Sequence, residues 1–149
     1  MKIISRTIII ILFLPVGLYS DEEDINQSFE KHFNLWSESK ISEYQYTLQR
    51  QCFCPISHTQ PIIIEVQNNQ VVNASFVNHD EPVSAELKHE LETIDEWFAL
   101  ISDAFEREAD VISVEYNPEF GYPKMIDIDM RRLRSDDEQV IAISDFIVH

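Results

Sequence analysis

Hydrophobic and polar residues alternate in two rhythms along this chain, and the changes of rhythm divide it into elements. Ile25, Phe29, Phe33 and Trp36 recur at spacings of four, four and three, which lays one apolar stripe along a helix. The acids at 21–24 suit the positive N-terminal end of that helix, expected over 24–38. The rhythm then shortens to two. Tyr44, Tyr46, Leu48, Arg50, Cys52 and Cys54 share one parity, and polar Glu43, Gln45, Thr47, Gln49 and Gln51 share the other. This predicts a strand with tyrosines and both cysteines on one face, Arg50 as the charged exception, and Pro55 as its end or edge. Ile62, Ile64 and Val66 begin a hairpin. Asn68-Asn69 can supply its tight turn, and Val72, Ala74 and Phe76 are expected on the inner face of the returning strand.

Residues 78–92 are polar and read as loop, with room for one helical turn at 85–90. Thr93-Ile94-Asp95-Glu96 then forms a capping box. Behind it Ile94, Trp97, Phe98, Ile101, Ala104 and Phe105 predict a helix over 94–108. Three strands follow: Ile112–Tyr116, Ile126–Met130 and Val140–Val148, with a loop at Asn117–Pro123 and a turn at Ser135–Glu138. The order α-β-β-β-α-β-β-β predicts an α+β fold, an antiparallel sheet with helices packed on one face.

The N-terminus changes which residues enter that fold. Lys2 and Arg6 precede an apolar run of 13 residues from Thr7 to Tyr19, then Ser20 and the acidic cluster. This is the layout of a signal peptide, and the run is short of the roughly 20 residues a membrane span needs. Residues 1–20 are therefore expected as a leader and 21–149 as a single α+β domain, exported to a periplasmic or extracellular location. A retained N-terminal membrane anchor is the alternative.

The formal charge of −16 makes the chain repel phosphate backbones and anionic lipid. Nucleic acid is excluded as a partner, and no stable membrane insertion is expected once the leader is gone. An unknown protein or small molecule is left as the partner. Asn26-Gln27-Ser28 and Asn73-Ala74-Ser75 match the glycosylation acceptor pattern, which matters only in a eukaryotic secretory route.

Candidate chemistry centres on Cys52 and Cys54, the only two cysteines. An oxidising compartment favours pairing. On a regular strand, however, positions i and i+2 lie about 6.5–7 Å apart, too far for a disulfide, so a bond requires a bend near Phe53-Pro55. A bond made there would be strained and exchangeable, which is what a redox role uses. A structural clip, or two reduced core thiols, is the plainer reading. Cys52, Cys54 and His58 together could hold zinc or cuprous copper, although the spacing is not a standard one and no fourth ligand is evident. Asp127 and Asp129 share a strand face with Arg131 beyond them, a weak acid/base or calcium candidate and more simply a solvated face.

Tyr116 to Pro123 gathers three aromatics, two prolines and Gly121, the only glycine after the leader. Tyr116, Phe120, Gly121 and Tyr122 are a candidate binding loop; they could equally lock a wide turn. No nucleophile elbow, zincin motif or phosphate loop is present, so no catalytic residue is assigned, and no cofactor is implied.

Together, Tyr44–Leu48 leading into Cys52-Phe53-Cys54-Pro55, Pro61–Val66, Thr93–Phe98, and Tyr116–Pro123 before Ile126–Asp129 resemble the exported-protein family "domain of unknown function 6174". The resemblance covers about residues 26–132. It departs at Asn68-Asn69, where glycine is more usual, and at Asn117, where aspartate would be expected. The resemblance implies an exported single α+β domain and carries no activity. The sequence thus leaves two functions open: a non-enzymatic binding module, or a thiol-redox or soft-metal protein built on the C-x-C pair.

Overall fold

A computed structural model describes residues 21–79, 81–131 and 138–149. The leader and residues 135–137 of the expected turn lie outside the described residues. The elements are α1 (Asp21–Ser39), β1 (Glu43–Gln51), α2 (Ile56–Thr59), β2 (Ile62–Gln67), β3 (Gln70–Phe76), α3 (Ala85–Lys88), α4 (Ile94–Glu106), β4 (Val111–Tyr116), β5 (Pro123–Asp129) and β6 (Glu138–Val148). Six strands form one antiparallel sheet in the order β3-β2-β1-β6-β5-β4, so the chain is α+β. The element order differs from α-β-β-β-α-β-β-β by two short helices, α2 and α3, each only four residues long. Elements this short leave no 3.6-residue period to read, although α3 lies where the sequence left room for one helical turn at 85–90.

The alternation on β1 sorts its side chains as the pattern predicts. Tyr44, Tyr46, Leu48 and Arg50 are buried, and their odd-numbered neighbours are half-buried or exposed. Both long helices reach this row of β1. Trp36 of α1 meets Tyr44 edge-on at 5.5 Å between rings, and Trp97 of α4 donates to the Tyr46 hydroxyl at 3.2 Å. The Tyr44 hydroxyl accepts from the Ile94 N–H at 2.8 Å, so β1 also binds one of the free donors at the start of α4. Thr93 and Glu96 close the capping box, Thr93 Oγ1 accepting from Glu96 N and Glu96 Oε2 from Thr93 N. Phe29 and Phe33 pack against Phe98 and join the helices to one another.

Two expectations are corrected. The β1 ladder ends at Gln51, so Cys52 and Cys54 are not on the strand. On β3, Val72 is exposed. The register shifts between Glu65 and Val66, pairing Val66 with Val71 while Glu65 pairs with Asn73. Val72 is the extra residue of this bulge, and the half-buried Val71 packs against the core in its place. Asn68 and Asn69 take φ of 51° and 57°, the left-handed pair a two-residue hairpin turn of the primed type requires.

Candidate functional site

Neighbouring strands are antiparallel at every step from β1 through β6 and β5 to β4, so β1 and β4 run in opposite directions. The segments that follow them therefore leave from opposite ends of the sheet. These are the two motifs singled out in the sequence: Cys52-Phe53-Cys54-Pro55 after β1, and Asn117–Pro123 between β4 and β5.

At the β1 end the chain bends as soon as the ladder stops. The Cα atoms of Cys52 and Cys54 are 5.3 Å apart and the two sulfurs are bonded. The bend that pairing required is thus present. Pro55 then leads into the single turn of α2, where His58 N donates to Pro55 O at 2.9 Å. Phe53 is 91% exposed and Ile56 is 78% exposed, so both apolar side chains at the tip project into solvent. The root of the loop is held to the segment before α4. His58 Nε2 lies 2.8 Å from Glu90 Oε2, and Ser57 Oγ lies 3.2 Å from His58 Nδ1.

Arg50, the last buried residue of β1, donates to the Glu90 carbonyl at 2.8 Å and pairs with the Glu92 carboxylate. Its guanidinium lies 5.6 Å from the Trp97 ring centre. Burial raises the Glu92 pKa above the usual carboxylate value, and the Arg50 charge offsets part of that rise. The Tyr46 hydroxyl donates to the Glu92 carbonyl. Glu90 and Glu92 thus hold one terminal nitrogen of the charged side chain that the alternation placed on the inner face, while its Nε is buried with no hydrogen-bond partner among the described residues. Sequence reasoning missed Glu90 and Glu92. Buried Arg50 signalled that a carboxylate must meet it, but nothing local said which of the 27 acids would.

At the β4 end the arrangement is inverted. Gly121 and Tyr122 are buried, Tyr116 and Phe120 half-buried, and only Pro118 and Glu119 of the turn are exposed. Tyr122 stacks on Phe146 at 4.3 Å, and Tyr116 stacks on His32 at 4.4 Å. Gly121 has φ +84°, and a Cβ there would stand 2.3 Å from the His32 carbonyl oxygen and 2.9 Å from the Trp36 nitrogen. Asn117 Oδ1 accepts from the N–H groups of Glu119 and Phe120, a local turn that an aspartate oxygen would make as well. The candidate binding loop therefore turns most of its aromatic surface inward, against α1.

The remaining candidates stay apart. Cys52 and Cys54 are bonded to each other and His58 faces Glu90. Among the described residues no three His, Cys, Asp or Glu side chains gather as a metal site. Asp129 is buried and its Oδ1 accepts from Arg131 N, which caps the end of β5, while Asp127 is half-buried opposite Ser113 and Val140. No described helix is long and apolar enough to cross a membrane.

The fold and its two loops define an α+β domain with a six-stranded antiparallel sheet and one disulfide-closed, projecting turn. The family model described as "Family of unknown function (DUF6174)" matches residues 28–148, and the chain belongs to that family. No curated protein and no solved structure matches it.

Proposed function

We propose that this chain is an exported, non-enzymatic interaction module that uses the Cys52–Ile56 turn as its contact point, with Phe53 inside the Cys52–Cys54 disulfide and Ile56 just beyond it at the start of α2. The observation that carries this reading is the exposure of Phe53 and Ile56 on a short turn tied at its root. A free loop would lose backbone entropy on binding; a closed one has lost it already. Aromatic side chains on rigid supports are the usual anchors of protein contacts. A periplasmic or extracellular setting fits the closed disulfide. A closed bond serves a rigid loop as well as it serves thiol exchange, and only the interaction reading uses Phe53 and Ile56.

The test is a photoreactive phenylalanine analogue placed at position 53, in the exporting cell, with the same analogue at exposed Ser113 on β4 as the comparison. The reading expects a cross-linked product of one defined mass from position 53 and none from position 113. No product from position 53, or the same products from both positions, would overturn it.

A further inference from the structure

The Cys52–Cys54 bond ties residues only two apart in sequence. A loop this small removes little freedom from the unfolded chain, so the bond adds little to global stability through chain entropy. Its effect is local: it decides whether the chain bends after Gln51. The sequence itself does not demand the bend. Cys52 and Cys54 keep the parity of Tyr44 to Arg50, and no glycine or proline interrupts the run before Pro55.

A neighbour for a longer β1 is already in place. β1 and β6 pair from Tyr44 with Val148 to Gln51 with Val140, where β1 stops. β6 starts earlier, at Glu138, and there Gln139 and Glu138 pair with Ile128 and Asp129 of β5. No β1 residue pairs with either. Continued in the same register, Cys52 would stand opposite Gln139 and Phe53 opposite Glu138. The bond prevents this extension. It holds the two Cα atoms 5.3 Å apart, whereas a regular strand spaces such positions at about 6.5–7 Å.

We infer that the Cys52–Cys54 disulfide is a redox switch for the contact turn: the oxidised chain presents Phe53 at the tip of the bend, and reduction by a dithiol lets β1 extend along β6 and withdraws it. This rests on the reading of that turn as the contact point. In the extended strand Phe53 takes the parity of Gln51 and lies on the outer face of the sheet, beside Glu138. Both cysteines are half-buried rather than enclosed in the core, which leaves them open to an attacking thiolate. The thiolate of the dithiol bonds to one sulfur, and the other leaves as a thiolate and takes a proton. The second thiol of the reagent then displaces the first cysteine. The chain gains two electrons and two protons, and the dithiol becomes a disulfide.

The test is amide hydrogen exchange, read by NMR on the purified protein before and after treatment with dithiothreitol. Of Cys52 and Phe53, the amide that faces β6 in the extended strand should exchange at least about tenfold more slowly after reduction, the scale of one net hydrogen bond. Proton contacts from Cys52 and Phe53 to Gln139 and Glu138 should appear with it, and protection elsewhere in the sheet should persist. The double change Cys52→Ser and Cys54→Ser should give the same pattern without reductant. Unchanged exchange at both amides would overturn the inference, as would loss of protection across the sheet, which would make the bond structural. No partner enters this experiment. Cross-linking at position 53 tests the contact and exchange tests the switch, so each can fail alone.

Discussion

Arg50 shows how a single residue can govern both packing and titration. It sits 6% exposed at the end of a strand whose other inward residues are apolar, and Glu92 is its carboxylate partner. Because burial raises the Glu92 pKa, the folded state binds that proton more readily than the unfolded chain does. Glu92 therefore favours folding fully below its unfolded value of about 4.5, and this contribution is lost as pH rises through the folded value. At neutral pH the ionised group depends on Arg50. Arg50→Met should cost about 3 kcal/mol at neutral pH, the low end for a broken buried pair because Glu92 is partly exposed. Near pH 4 the loss should be smaller, since a protonated Glu92 needs no counter-charge. Urea unfolding at both values checks this, and equal losses would contradict it. The tyrosines carry a pH dependence of the same sign at higher pH. Burial is the largest cause raising the pKa of Tyr44, Tyr46, Tyr116 and Tyr122. Their contribution to stability is held below the ordinary value of about 10 and lost above it. Phenolate absorbance from these four should appear together with unfolding in an alkaline titration, and separate early ionisation would count against their burial.

At the scale of elements, β1 and α4 were legible because each carries a long, clean period. The capping box at Thr93 was legible from four residues, and the structure forms both of its hydrogen bonds. Thr93→Ala should cost about 1 kcal/mol, read as a lower midpoint of thermal unfolding. The end of β1 was not legible. Cys52 and Cys54 continue the parity of Tyr44 to Arg50, so the pattern alone extends the strand, whereas the disulfide requires the chain to bend. Geometry supplied the correction that periodicity could not. The β3 bulge escaped for a similar reason, since one extra residue at Val72 inverts the apparent inner face. The Tyr116–Pro123 loop was readable as aromatic and glycine-dependent, but its inward aim depends on α1, about ninety residues earlier in the chain.

The whole molecule separates two tasks by placing its two motif loops at opposite ends of one sheet. The Tyr116–Pro123 end closes the core against α1, and the Cys52–Ile56 end projects apolar side chains from a tied root. An excess of 27 acids over 11 bases makes the folded body repel itself. Raising salt from about 0.01 M to about 0.15 M shortens the screening length from about 30 Å to about 8 Å. The unfolding midpoint should rise with it, and a fall would show that attractive surface pairs outweigh the net charge. The division of labour between the loops is the central claim, and comparing two variants in one unfolding experiment tests it most directly. Gly121→Ala must place a Cβ against the backbone of His32 and Trp36 from a left-handed position, and should lose at least about 2 kcal/mol. The double change Phe53→Ala and Ile56→Ala removes side chains that face solvent, and should stay within about 0.5 kcal/mol of the parent. A tolerated Gly121→Ala, or a Phe53/Ile56 variant that loses stability like a core mutant, would contradict the account.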